Sequence, residues 1–374
     1  MAVTPFRKAT VLGAIALAAG AANAGVQGLA YQSRPHYITT EPGTPAGANT
    51  GYNTRHRPTY GGEHSGVARL VLDTGAGSFL CSGALLSTGR HVLTAAHCVT
   101  DAAGKLNVTG GTASFPITPT GPFGLGNIAA DPALGVARVT VHPGYNGDYL
   151  FKGNDLAIIT LSGDAPLAAQ RYELYTGSDD LEKVSDKVGW GSVGQGDTGT
   201  TTSPGAGWRK GQNVWEMTAS QFWGDPTVSS NILMYDFDNG LAANDAFDAY
   251  FGKAGLGLGA MEVGSGPGDS GGPSFLDGKI AGVTSFGLTF TDMKDANGNF
   301  TLCSPANPDV LCGVNSTFGE FAGDTRVSGY NQWIMSSIPE PETYALMLAG
   351  LGLVGFIARR RAAAGRCRTS RAER

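Results

Sequence analysis

Short apolar runs broken by Gly, Ser and Pro set the rhythm of the middle of the chain. Val67-Ala68-Arg69-Leu70-Val71-Leu72 reads as a strand, and so do residues 78–86, 91–96, 156–161 and 280–286. Runs this short, separated by turn residues, predict an all-β barrel or sandwich. A Pro/Ala/Gln stretch at residues 164–172 divides the pattern into two halves, the second opening at Lys187-Val188-Gly189-Trp190-Gly191. Residues 195–210, rich in Gly, Thr, Ser and Pro, read as a surface loop, and Val327 to Ile334 as a closing helix. Residues 25–60 carry no sustained period and read as a flexible lead-in or pro-segment. No repeat recurs at a fixed spacing.

The two ends follow other rules. Residues 1–24 combine a basic start (Arg7, Lys8), an apolar run from Ala9 to Ala22 and the triplet Ala22-Asn23-Ala24. Those are the three parts of a secretory signal peptide, which signal peptidase removes. Residues 339–374 begin Pro339-Glu340-Pro341-Glu342, continue through an apolar stretch at 344–358, and finish with seven arginines from Arg359 onward. Fifteen apolar residues barely suffice for a membrane crossing, and the arginines would hold the tail on the cytoplasmic side.

Composition agrees with an exported, loop-rich β protein: 57 of the 374 residues are glycine and 15% are charged. Two basic residues precede residue 25, and seven basic and three acidic residues follow residue 338. Residues 25–338 therefore hold 17 Lys+Arg against 28 Asp+Glu, a net of −11. So acidic a body lacks the electrostatic footprint of a nucleic-acid binder. Of the five cysteines, Cys81, Cys98, Cys303 and Cys312 lie in the exported body, while Cys367 lies beyond the apolar segment on the reducing side. Four cysteines allow three pairings; the local one, Cys81–Cys98 with Cys303–Cys312, is expected.

Three segments carry chemistry. Leu93-Thr94-Ala95-Ala96-His97-Cys98 offers an imidazole, Gly153-Asn154-Asp155-Leu156-Ala157 a carboxylate, and Gly268-Asp269-Ser270-Gly271-Gly272-Pro273 a hydroxyl in a glycine-rich turn. A serine hydroxyl is too weak an acid to attack a carbonyl unaided; a neighbouring imidazole must take its proton. A buried carboxylate then fixes the imidazole tautomer, and rigid N–H donors stabilise charge developing on oxygen.

In this His, Asp, Ser order the three segments resemble the chymotrypsin/trypsin family of serine proteases, whereas other triad folds use other orders. The resemblance covers roughly residues 61–336. It implies two six-stranded antiparallel β-barrels, roughly 61–170 and 185–336, with a short C-terminal helix, in a protease domain spanning 61–338. By the same resemblance His97, Asp155 and Ser270 form a catalytic triad, and the Gly268 and Ser270 amides an oxyanion hole. Asp269 matches the buried acid that pairs with a freed N-terminus after activation. Cys81 and Cys98 match the disulfide bracketing the catalytic histidine. Ser285-Phe286-Gly287 resembles the strand that pairs with substrate backbone, and Gly264 and Ser265 fall in the specificity pocket. The Pro-Glu-Pro, the apolar stretch and the arginines resemble the PEP-CTERM sorting signal of Gram-negative bacteria. That implies processing by an exosortase, a transient inner-membrane tether through residues 344–358, and delivery to the cell surface or beyond.

Several positions depart from the family. No Ile-Val-Gly-Gly activation site is present; Tyr60-Gly61-Gly62-Glu63 is the nearest stretch, with Arg55 or Arg57 as the candidate cleavage point. Gly264 stands where trypsin has an acid, and the disulfide that braces the pocket is missing. A strict Arg/Lys preference therefore has no ion-pair basis, and small or apolar substrate side chains are expected. Asp324 falls near the back of the pocket. The acidic segment 235–250 lacks the twelfth-position Glu of a calcium loop, because Phe247 stands there, and reads as an acidic turn. No metal or cofactor is required. The functional expectation is a secreted endopeptidase acting on protein or peptide through an acyl-enzyme. The alternatives are a catalytically silent surface-displayed binding protein on the same fold and an esterase-like hydrolase.

Overall fold

In the computed structural model the described residues are 30–35, 56–75, 77–118, 131–200, 208–291, 293–294, 300–302, 307–338 and 348–359. The signal-peptide segment, Cys303 and Cys367 lie outside them. The chain divides into a body, Met1–Asn331, and a C-terminal unit, Gln332–Arg374.

The first half of the body is a closed antiparallel barrel. Its strands are β2 (Val67–Thr74), β3 (Gly77–Leu85), β4 (His91–Thr94), β5 (Val108–Ser114), β6 (Ala133–Val141) and β7 (Ala157–Leu161), in the spatial order β2-β3-β4-β7-β6-β5. Alternation in β2 buries Leu70 and Leu72 while Arg69 and Val71 are only half-buried, as a one-sided strand demands. Leu70 lies opposite Cys81 of β3 and Ala113 of β5, so β2 is paired on both edges and the barrel leaves no open edge there. Leu85, Val92, Leu93, Ile159 and Leu161 are fully buried in this half.

The second half is a half-barrel. Its main strands are β8 (Val184–Gly189), β11 (Arg209–Val214), β12 (Met217–Thr218), β13 (Ile232–Asp236), β14 (Pro273–Leu276), β15 (Lys279–Thr291) and β18 (Phe321–Arg326). They run in the order β11-β8-β14-β15-β18-β13-β12 and do not close on themselves; a further strand, β1 (Ala30–Pro35), pairs with β15. Two short hairpins, β9 (Gly194–Gln195) with β10 (Gly199–Thr200) and β16 (Met293–Lys294) with β17 (Phe300–Leu302), decorate it. Residues 30–35, where the sequence showed no pattern, thus form a strand by pairing with a partner distant in the chain.

The half-barrel core is aromatic. Phe222 of α1 (Ala219–Trp223) stacks on Phe290 and meets Phe321 edge-on, and Phe247 of α2 (Ala246–Phe251) meets Phe321 edge-on. Edge and offset contacts of this kind add about 0.5–1.5 kcal/mol each beyond burial. Helix α1 carries a complete capping box, Thr218 with Gln221, and ends on left-handed Gly224.

The C-terminal unit carries most of α3 (Asn331–Ser337) and a helix over residues 348–359. Twelve helical residues rise about 18 Å, well short of the roughly 30 Å hydrocarbon core. Among the described residues no helix is long and apolar enough to cross a membrane. The transmembrane helix expected over residues 344–358 is therefore not found; its first residues, 344–347, lie outside the described set.

Candidate active site

His97 leaves the barrel at the end of β4, on a one-turn 3₁₀ helix, Ala96–Cys98. Asp155 arrives just before β7, after two consecutive residues with positive φ, Gly153 (63°) and Asn154 (62°). Asn154 adopts this conformation because its amide donates to Tyr330 Oη (2.9 Å) and its side-chain amide to the Gly144 carbonyl (3.1 Å). The turn drives the Asp155 carboxylate into a fully buried position under His97. There Oδ1 accepts the His97 backbone N–H (2.9 Å), and Oδ2 accepts His97 Nδ1 (2.7 Å) and Ser285 Oγ (2.5 Å).

Burial alone would push the Asp155 carboxyl up. The charge of His97 and the three hydrogen bonds from His97 and Ser285 outweigh it and hold the group below its ordinary value. With Nδ1 engaged by Asp155, the ring nitrogen that remains is Nε2. It is buried and has no hydrogen-bond partner among the described residues.

Ser270 comes from the second half. Its carbonyl accepts the Ser82 N–H at 2.8 Å, and the sulfur of Cys98, the residue after His97, lies 3.5 Å from the same oxygen. That sulfur is bonded to Cys81 and carries no proton, so the contact is packing alone. Ser82 Oγ donates to the Gly268 carbonyl (2.9 Å) and accepts from Trp190 N, which ties the serine loop to β3. At Gly271 (φ 81°) an added Cβ would fall 2.0 Å from Thr94 Oγ1, so only glycine lets the loop lie this close to β4. Gly268 (φ 107°) has an amide that donates to no group among the described residues. The Cys81–Cys98 disulfide is present; Cys312 is disulfide-bonded, while its expected partner Cys303 lies outside the described residues.

Asp269 is buried between Gly189 and Gly191, where added Cβ atoms would come within 1.9 and 2.3 Å of its carboxylate. Oδ1 accepts the Gly191 amide (2.7 Å); Oδ2 is buried with no hydrogen-bond partner. Burial pushes this carboxyl well above its ordinary range, against the Gly191 bond and the charges of Lys187 and Arg209. Among the described residues no amine forms an ion pair with it.

The five residues assigned to the specificity pocket separate into two groups. Gly264 and Ser265 line a small cavity of about 10 Å³ with Tyr235, Phe237 and Ala322. Ser285 instead serves Asp155, Phe286 is buried with its ring 5.7 Å from Tyr149, and Gly287 lies opposite Arg34 of β1. Phe237 packs so close to Gly264 that a Cβ there would sit 2.7 Å from its ring. Glu320 also lines the cavity, with Oε1 accepting the amides of Asn315 and Thr317.

Asp324 serves the barrel interior. It is fully buried and pairs with Lys187 Nζ (2.6 Å), Ser274 Oγ (2.7 Å) and Trp215 Nε1 (3.1 Å). Lys187 Nζ also lies 4.2 Å from the Tyr235 ring centroid, and burial pulls its pKa down. The legible signal for this pair is a lysine at an inward position of β8, beside Val188.

Carboxylates gather at the end of β13 and in the insertion that follows it. Asp236, Asp238 and Asp245 are buried, and one carboxylate oxygen from each lies within 4.8 Å of the others. Asp236 Oδ2 accepts the amides of Ala246 and Phe247; Asp245 accepts those of Asp248 and Gly255.

A closed barrel and a half-barrel, the first carrying a hydrogen-bonded histidine–aspartate pair and the second a glycine-rich serine loop packed against β3 and β4, define a two-barrel protein of the serine-protease class. The chain belongs to the trypsin family, whose match covers residues 54–308, and carries a PEP-CTERM protein-sorting motif at residues 337–361. It is 26% identical over 217 residues to a trypsin from Phaedon cochleariae, covering 57% of this chain and 71% of that protein. It is also 32% identical over 132 residues to CLIP domain-containing serine protease B10 of Anopheles gambiae, covering 33% of this chain and 36% of the relative. Similar solved structures include HL collagenase (TM-score 0.48, 18% identity, 75% of this chain and 96% of that one). Neuropsin, a serine protease of mouse brain, is similar too (TM-score 0.48, 18% identity, 76% and 98%).

Proposed function

We propose that the chain is an exported serine endopeptidase acting through an acyl-enzyme. The observation that carries the reading is the buried hydrogen-bonded series Ser285–Asp155–His97, which leaves His97 Nε2 without a partner among the described residues, one residue before Cys98, whose sulfur lies against the Ser270 carbonyl. In the reaction His97 Nε2 takes the Ser270 proton as Oγ bonds to the scissile carbonyl carbon. The tetrahedral oxyanion is held by the Gly268 and Ser270 amides, each such donor being worth about 10²–10³ in turnover. His97 then returns the proton to the leaving amine as the C–N bond breaks. Water, deprotonated by the same nitrogen, releases the acyl group and restores Ser270. Asp155 keeps Nδ1 protonated and stabilises the imidazolium.

The cavity lined by Gly264 and Ser265 has room for about one water, which supports a preference for small substrate side chains. The PEP-CTERM motif supports export, cleavage near Pro339-Glu340-Pro341 by an exosortase, and delivery to the cell surface.

A fluorophosphonate probe tests the activity. Processed wild-type protein is expected to be labelled and Ser270→Ala not. A folded, processed sample that takes no label would instead mark a silent binding protein on this fold. A peptide-library digest run beside simple esters separates endopeptidase from esterase and reads the side-chain preference.

A further inference from the structure

We propose that Asp236, Asp238 and Asp245 bind a calcium ion that braces the segment leading into the serine loop. The three carboxylates come from different local structures: the last residue of β13, the chain just beyond it, and the N-cap of α2. Folding alone brings one oxygen of each within 4.8 Å of the other two, out of solvent. Asp238 is 4% exposed, and its Oδ1 is buried with no hydrogen-bond partner, although the other two carboxylates are well supplied with amides. Uncompensated burial of a carboxylate is costly, so such oxygens are either protonated or held by a cation. Among the described residues no lysine or arginine forms an ion pair with any of the three. Lys253, on the same insertion, is engaged by Glu182 and by the Glu216 carbonyl. Burial pushes Asp236 up to about 7 and Asp238 to about 9, which shows how poorly the protein alone compensates their charge.

The donor set selects the metal. Among the described residues only carboxylates form this cluster, with no His or Cys to favour zinc or copper. Three protein carboxylates on one ion suit calcium, whereas magnesium keeps several waters and takes one or two carboxylates. The position gives the ion a task. Asn213 Nδ2 ties the Asp236 carbonyl (2.8 Å) to the Val263 carbonyl (2.9 Å), and Val263 leads directly into Gly264 and Ser265. A cation here would stiffen that segment in a chain without the family's bracing disulfide.

Calorimetric titration of the chelator-treated full chain with calcium chloride tests this. One calcium per chain is expected, with Kd of about 10⁻⁴ M or tighter. Tm should rise by about 5 °C at a hundredfold excess over Kd. Asp238→Asn should weaken binding about tenfold or more through the lost ligand charge. No heat and no Tm change in the wild type up to about 10 mM, well above the range of weak extracellular sites, overturns the proposal. Equal affinity for magnesium overturns the choice of metal, and wild-type affinity in Asp238→Asn overturns the ligand assignment.

A different observation carries a second inference, which rests on the protease reading. One edge of β15 pairs with β18; on the other, β14 covers only Lys279 to Val283, and residues 286–291 are taken by β1. The pairing is antiparallel, from Ala30 opposite Thr291 to Pro35 opposite Phe286. The segment therefore runs towards Ser285, the residue bonded to Asp155. An extended peptide adding to this edge in the same sense would reach the same point. We infer that residues 30–35 occupy the edge a peptide substrate would use and keep the newly exported chain self-blocked.

Hydrogen exchange and probe labelling of the full chain, against a variant lacking residues 30–35, decide it. The deletion is expected to speed amide exchange across 286–291 and to raise the labelling rate about tenfold or more, as a competing strand is removed. Unchanged exchange there, or faster exchange with both proteins labelled at the same rate, overturns the self-block. Faster exchange with no label on either protein overturns the protease reading while leaving the strand pairing in place.

Discussion

At the residue scale the site rests on opposite treatments of two buried carboxyls. Asp155 is compensated by His97 and Ser285 and held below its ordinary value, so it stays ionised throughout the neutral range. Asp155→Asn keeps the shape but loses the tautomer control, and kcat is expected to fall about 10⁴-fold with little change in Tm, read by steady-state kinetics beside a melt. Asp269 has the reverse problem. Its carboxyl is raised above 3.8, so the folded chain keeps a proton that the unfolded chain releases. Stability from this group is therefore fully present at low pH and declines as pH rises above about 4. In the unprocessed chain Asp269→Asn is expected to melt above wild type at pH 7 and to match it near pH 4. An equal gap at both values would show that Asp269 is neutralised by a partner.

At the element scale, the strand bearing Lys187 and the strand bearing Asp324 are joined through β14 and β15 by a buried ion pair that also engages Ser274 and Trp215. Breaking it on one side leaves a buried charge. Lys187→Met is expected to cost about 3–5 kcal/mol in a denaturant melt, and Lys187→Met with Asp324→Leu much less. A single variant as stable as wild type would mean that water reaches Asp324. The same scale governs the specificity region: Phe237, from the insertion after β13, covers Gly264, and Lys187, from β8, takes Asp324, partners that position in the chain does not show.

At the scale of the whole molecule, a trypsin-family domain is followed by a sorting motif. The sorting motif at 337–361 overlaps the end of α3 (Asn331–Ser337). Intact-mass measurement of surface-released protein is expected to show a C-terminus near residues 339–341, and deletion of residues 339–374 to abolish surface retention. Released protein that still carries residues 348–359 would rule out cleavage at the motif.

What the sequence determined was whatever depends on local chemistry: the strands with alternating burial, the glycine turn around Ser270, and the histidine and aspartate segments with their neighbours. Gly271 was legible because a backbone turn of that tightness admits little else, and Cys81–Cys98 because its half-cystines are near in the chain. Tertiary structure alone decided what depends on partners remote in the chain. It gave Ser285 to Asp155, left one oxygen of Asp269 without a partner, buried Lys187 against Asp324, and drew residues 30–35 onto β15. It also gathered three aspartates that no single spacing rule joins. Hydrophobic period and turn chemistry act over a few residues, whereas the charge balance of a buried group is set by whichever distant strand packs against it.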